Sequence, residues 1–324
     1  MKANLVEAVQ DALRIGLSED PECLVLGEDV GRNGGVFRAT DGLQAEFGDE
    51  RVLDTPLAES SIVGVGLGLA AAGMHPVCEI QFGGFLYITM NQIGSQVARL
   101  RLRTGGRLRA QMVIRAPYGG NVRTPDLHSD SFEALYAHTP GIKVVLPATA
   151  YAAKGLLLAA IEDPDPVLFL EPMRIYRGFR EEIPDGRYLV PIGQGRVARE
   201  GRDVTLIAYG AQVGTTLEAA EALQRDGVDA EVIDLQTVAP LDAETIITSV
   251  RKTGRAVVVH EAARPVGIGA EVVARIQEEA FYALEAPIER VTGWPTSYPF
   301  VQAEALYVPS PARIAAAARR TLSA

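Results

Sequence analysis

Glu59 and His128 are the two residues whose surroundings best suit proton chemistry. Glu59 stands in DTPLAESSIVGVGLG, an acid at the start of a small-residue, apolar helical run, where a carboxylate meets the partial positive charge of a helix N-terminus. His128 stands in RTPDLHSDS, a polar stretch of loop character, and an imidazole that titrates near neutrality suits a proton donor. Between them VCEIQFGGFLY places Phe82, Phe85 and Tyr87 just past a strand, where they either line a site or fill core. Each feature alone has an ordinary explanation: a helix-end charge, a surface histidine, core aromatics. Their convergence points to one site.

Other chemistries lose their support. Gly64, Gly66 and Gly68 fail the dinucleotide fingerprint because Leu69 holds its third glycine position, and Gly267 and Gly269 fail because Val272 does. Gly64, Gly68 and Ala72 instead predict a smooth stripe for close helix packing. No phosphate-binding P-loop, G-x-S-x-G elbow or H-E-x-x-H pair occurs. Cys23 and Cys78 match no metal-ligand or disulfide spacing and read as small buried residues.

The elements that must position Glu59 and His128 alternate. Asn4 caps an amphipathic helix through Leu5, Val6, Val9, Leu13 and Leu17, and CLVLGED follows as a buried strand. Apolar runs at 77–82, 111–117, 143–147 and 167–172 read as strands, with helices over 60–73, 86–103 and 150–162. Such alternation predicts a parallel sheet covered on both faces. After Pro172 a Gly-, Pro- and charge-rich stretch marks a connection. Strands at 203–210, 230–235, 256–262 and 287–293 then alternate with helices at 213–226, 242–253, 269–282 and 311–322. The expected organisation is an α/β protein with a first domain over 1–185 and a smaller one over 186–324.

The 324 residues suit two domains at roughly 100–200 residues each. A composition of 48% hydrophobic and 22% charged residues supports a core without disulfides. A formal charge of −10 argues against nucleic acid or an anionic membrane as the main partner. All but four of the 31 basic residues are arginine, a bias with no single physical meaning. MKANLVEAVQDALRIGLSED lacks the long apolar core of a signal peptide, and no run of about 18 apolar residues spans a bilayer, so the expected location is cytoplasmic.

DTPLAES, the glycine-striped helix, EIQF with its aromatic pair, IRAPYG, LHSDSFEALYAHTPGIKVVLPATAYAAKGLL, IEDPDPVLFLEP, VIDLQTVAPLD and HEA occur in this order along the whole chain. Together they closely resemble the beta subunit of the thiamine-diphosphate-dependent, decarboxylating component of 2-oxo acid dehydrogenase complexes. EIQF and FLEPMRIYR look closer to the branched-chain 2-oxo acid members; the alternatives are the pyruvate-specific version and a catalytically silent assembly subunit. The resemblance implies a pyrimidine-binding domain followed by a transketolase C-terminal-like domain, and oxidative decarboxylation followed by reductive acylation of a lipoyl group.

By that resemblance Glu59 hydrogen-bonds the aminopyrimidine ring of the cofactor, with Phe85 packing on the ring and Leu57 beside it. His128 becomes the proton donor to the lipoyl group, with Ser129 as a possible orienting group and His138 behind it. The family holds the diphosphate through magnesium at a G-D-G motif, which this chain lacks. Magnesium is therefore expected on a separate alpha subunit in an alpha2beta2 heterotetramer that serves a lipoyl-bearing transacylase. A potassium ion on the backbone of Met112, Val113, Ala160, Asp163 and Asp165 is a further implied site. His260 and Glu261, ending an apolar strand, either face an active site or make a strand-end turn.

Overall fold

In the computed structural model, which describes residues 1–120, 122–124 and 126–324, the strands fall into two main sheets. The strands of the first half are β1 (Lys2–Ala3), β2 (Cys23–Gly27), β3 (Val52–Asp54), β4 (His75–Glu79), β5 (Val113–Tyr118), β6 (Lys143–Val145), β7 (Val167–Pro172) and β8 (Glu181–Glu182). Those of the second half are β9 (Arg196–Arg199), β10 (Val204–Ala208), β11 (Ala230–Asp234), β12 (Thr237–Ala239), β13 (Ala256–Ala263) and β14 (Glu289–Gly293). A seven-stranded sheet runs in the order β12-β6-β7-β5-β4-β2-β3, a five-stranded sheet β14-β13-β10-β11-β9, and β1 pairs with β8. Within the main sheets only β12 and β9, each at an edge, run antiparallel to their neighbours. The α/β architecture read from the alternation is the observed one.

Side chains alternate across the central strands and so build two layers per sheet. Cys23 and Val25 of β2, with Val167 and Phe169 of β7, face a core under the Leu5–Glu19 and Ala150–Glu162 helices. Leu24, Leu26, Leu168 and Leu170 face the other way. That second core continues into Ile207, Ile233 and Val258 of the five-stranded sheet, so one apolar layer joins the two sheets. The far face of the smaller sheet is closed by the Gln212–Arg225 and Pro311–Leu322 helices.

Local signals explain the starts of four helices. Asn4 and Glu7 form a reciprocal capping box at the first helix, and Thr149, Asp242 and Ser310 cap three others through their side chains. The expected helix over 86–103 is instead a chain of short pieces, α-helical at Leu86–Met90, π-helical at Asn91–Gln96 and α-helical again at Leu100–Arg103. Gly94 lies inside the widened turn, where glycine weakens α-helix.

The glycine stripe behaves differently from its expectation. A side chain on Gly64 would touch Gln92 of the Asn91–Gln96 turn at 3.9 Å and one on Gly68 would meet nothing, whereas one on Gly66 would collide with the Cys78 sulfur. Gly66 is thus what lets the Glu59–Ala71 helix lie against the sheet, and of the expected stripe only Gly64 faces a helical neighbour, the Asn91–Gln96 turn, among the described residues. No helix among the described residues is long and apolar enough to cross a membrane.

Candidate active site

The sequence-predicted site residues follow the carboxyl ends of four adjacent parallel strands, the place where open α/β sheets bind ligands. In the order β5-β4-β2-β3, the chain leaving β3 reaches Glu59, that leaving β2 reaches Glu28, that leaving β4 reaches Phe82 and Phe85, and that leaving β5 reaches His128.

Glu59 is the first residue of its helix and is 7% exposed. Its carboxylate has no hydrogen-bond partner among the described residues. Glu28 lies within its electrostatic reach: partial burial, then the charges of Asp29 and Glu59, push the Glu28 carboxyl above its ordinary range. Spacing gave no signal for Glu28, because one acid at a strand end is commonplace. The next residue, Ser60, donates its hydroxyl to the carbonyl of Ile88 at 2.7 Å, tying this helix to the segment that carries Phe85.

His128 sits in an aromatic corner. Its ring meets Phe82 and Phe85 edge-on, at centroid distances of 4.6 and 5.2 Å. Phe82 in turn packs on Phe37, and Phe37 on Tyr176. A side chain on Gly84 would collide with the carbonyl of Leu127, so the Gly83-Gly84 pair is what lets the His128 segment settle onto these rings. The His128 Nδ1 is buried without a hydrogen-bond partner among the described residues. The Ser129 hydroxyl, expected beside His128 as an orienting group, pairs with that of Thr124 at 2.5 Å. Leu57 is 71% exposed. His138 is exposed at the end of the Glu133–Ala137 helix and lines a cleft with Val238 and Ile268, away from these aromatics.

These residues fit the pyrimidine half of thiamine diphosphate. A nearly buried carboxylate, Glu59, and an imidazole nitrogen of His128 left without a partner among the described residues are the polar groups, and Phe85 and Leu57 offer apolar surface to a ring. The potassium expectation meets competition. The Met112 carbonyl accepts from the Val167 amide at 3.0 Å, and that of Ala160 from Asp163 at 3.4 Å. Lys143 grips the Asp163 carboxylate at 2.7 and 2.5 Å, and Arg101 that of Asp165 at 2.7 Å. Positive charge is already supplied at both acids.

Beneath the site Arg115 of β5 is fully buried, forking onto Glu171 of β7 at 2.6 and 2.7 Å and also donating to Glu79 of β4. Burial, only partly offset by Arg115, raises the Glu79 carboxyl above its usual range. His260 and Glu261 are both buried. His260 stacks on Tyr209 and its Nδ1 pairs with the Ala262 carbonyl at 3.1 Å; burial lowers its pKa to about 4. Glu261 accepts a hydrogen bond from the Gly120 amide, and burial pushes its carboxyl up to about 6.

The transketolase pyrimidine binding domain model matches residues 1–178, and the transketolase C-terminal domain model matches residues 193–314. A solved split-gene transketolase, described as an inactive beta4 tetramer, superposes with a TM-score of 0.81 at 25% identity, covering 99% of this chain and 98% of that one. The sheets and the order of domains thus define a protein of the transketolase type, a class that depends on thiamine diphosphate.

The chain is 54% identical to the pyruvate dehydrogenase E1 component subunit beta of Bacillus subtilis and 53% identical to that of Staphylococcus epidermidis, each over 318 residues and 98% of both chains. It belongs to the family of 2-oxo acid dehydrogenase E1 beta subunits. The branched-chain expectation gains no support from these relatives; the pyruvate alternative fits them better.

Proposed function

We propose that this chain is the beta subunit of a pyruvate dehydrogenase E1 component. It works with a separate alpha subunit in an alpha2beta2 assembly and passes an acetyl group to the lipoyl group of a transacylase. The observation that carries the reading is similarity along nearly the full chain to relatives named for pyruvate. The gathering of Glu59, Phe85 and His128 at neighbouring strand ends supports it. EIQF and FLEPMRIYR favour branched-chain 2-oxo acids as the second reading.

Thiamine diphosphate, when bound, supplies the sink for the electron pair released with carbon dioxide. Glu59 would hold and release a proton at its carboxyl oxygen toward the aminopyrimidine of a bound cofactor. Phe85 and Leu57 would supply apolar surface for the pyrimidine ring. His128 delivers a proton from its ring to a lipoyl sulfur, with Phe82 and Phe85 excluding water from that imidazole. Magnesium and the diphosphate fall to the alpha subunit, because this chain has no G-D-G motif. Exposed Leu57, Val65, Tyr87 and Ile88, along the Glu59 helix and the segment hydrogen-bonded to it, are apolar surface of the kind that marks an interface. This scheme assigns no role to a potassium ion on the backbone of Met112, Val113, Ala160, Asp163 and Asp165, of which the Met112 and Ala160 carbonyls already accept backbone amides.

The test is 2-oxo acid decarboxylation with an artificial electron acceptor, by this chain co-expressed with an alpha partner and by this chain alone. Activity only in the pair, with pyruvate turned over faster than 3-methyl-2-oxobutanoate, is expected. The reverse order of substrates would select the branched-chain reading, and activity in the lone chain would overturn the split site.

A further inference from the structure

The segment that carries His128 begins after Tyr118, the last residue of β5, and ends at Glu133, the first residue of a short helix. Both of its ends are tied to side chains from the smaller sheet. At the start, the Gly120 amide donates to Glu261 Oε1 at 2.5 Å. At the finish, the Tyr209 hydroxyl donates to Glu133 Oε1 at 2.5 Å. All three side chains are buried, Glu133 fully. The two ends are also tied together, since the Gly119 amide donates to the carbonyl of Asp130 at 3.2 Å.

The local sequence is shaped around these ties. Gly119 has φ of +82°, and a side chain there would press on the Glu261 carboxylate. One on Gly120 would overlap the Tyr298 ring. The glycine pair after β5 therefore exists so that the smaller domain can reach the backbone at the root of the segment. Hydrogen bonds to a buried carboxylate are among the stronger ones, and losing one leaves a buried amide unpaired.

We propose that Glu261 and Tyr209 are positioning residues: from the C-terminal half they clamp both roots of the 119–133 segment and thereby hold His128 against Phe82 and Phe85. The inference rests on the reading of His128 as the proton donor in acyl transfer. It assigns the C-terminal domain a part in that half-reaction, through residues that touch neither cofactor nor lipoyl group.

The experiment compares E261A, E261Q and Y209F in the assembled alpha-beta pair. Arg123 is exposed within the segment, so tryptic cleavage after it reports how firmly the roots are held, whatever the enzyme catalyses. In E261A cleavage should quicken about tenfold and acetylation of a lipoyl domain slow about tenfold, with decarboxylation to an artificial acceptor and the KM for pyruvate retained. E261Q keeps a carbonyl to accept from Gly120 and should stay near the wild type in both readouts. Y209F removes one hydroxyl from an otherwise intact core and should shift both in the direction of E261A. Unchanged cleavage in both E261A and Y209F, or a folded E261Q as impaired as E261A, would overturn the clamp. A wild-type pair that acetylates nothing would sink the enzyme reading instead, while the cleavage comparison still decides the clamp.

Discussion

The imidazole of His128 stands edge-on to the ring of Phe82, with centroids 4.6 Å apart and the planes inclined at 73°. An edge-to-face contact of this kind is worth about 0.5–1.5 kcal/mol beyond the area it buries. F82A should therefore let the imidazole swing and lower acyl transfer to a lipoyl domain by roughly 3- to 10-fold, whereas F82Y, which keeps the ring, should stay close to the wild type. Steady-state transfer rates of the two variants decide the matter; equal rates would remove Phe82 from any role in holding His128.

Glu59 carries the most severe prediction. E59Q keeps size and shape but cannot shuttle a proton, so decarboxylation should fall by about 100-fold or more while the variant still co-purifies with its alpha partner. Near-normal decarboxylation in E59Q would remove the catalytic role assigned to Glu59.

Arg115 is buried between two carboxylates, and removing it leaves them facing one another in the sheet. R115M should cost about 3–5 kcal/mol in urea unfolding, because an uncompensated buried charge is expensive. Adding E79Q and E171Q to R115M should recover part of that loss. A triple variant less stable than R115M would show that the cluster stabilises by shape and not by charge.

His260 sets a pH dependence of known sign. Its pKa is lowered to about 4 by burial and, less, by Arg290 and Arg264, so the unfolded chain binds a proton more readily than the folded one. Its stabilising contribution is complete above about 6.5 and is lost as pH falls through 4, amounting to about 3 kcal/mol. Glu261 and Asp234, both raised to about 6 chiefly by burial, act in the opposite sense: their contributions are lost as pH rises through 6. The clean observable is therefore the stability gap between the wild type and H260Q, which should shrink by about 3 kcal/mol from pH 7 to below 4. A constant gap would mean that His260 titrates normally.

The Met112 and Ala160 carbonyls already accept hydrogen bonds from the Val167 and Asp163 amides, so melting temperatures in potassium and in sodium at equal ionic strength should coincide. A rise specific to potassium would show that the ion engages these backbone carbonyls all the same.

The sequence made the parallel core legible because its strands are short continuous apolar runs: Val167–Pro172 and the Ala150–Glu162 helix fall where the pattern puts them. Helices with polar caps were equally readable. Val52–Asp54 and Thr237–Ala239 were not, because three residues carry no period and their partners are distant in sequence. The Asn91–Gln96 widening was hidden for a related reason, since apolar spacing does not distinguish a π turn from an α turn. In the site, Glu59 and His128 stood out by residue type against their neighbours. The clamp on the His128 segment did not, because it joins Gly120 to Glu261 across 141 positions and appears locally as nothing more than a glycine pair and a strand-end acid.

The pairing of β12 with β6 has an evolutionary consequence. The last strand of the larger sheet is encoded downstream of three strands of the smaller one, so no single cut in the gene separates the two sheets. A fragment ending near residue 185 would present β6 as a raw edge with unpaired backbone groups, an invitation to aggregate. Recombination between related chains would always join one parent's edge strand to the other's sheet unless it exchanged β12 as well. The two halves are therefore expected to be inherited together, their residues co-varying across that seam, and chimeras built at the composition boundary should fold only when the parents agree at Thr237–Ala239 and Lys143–Val145.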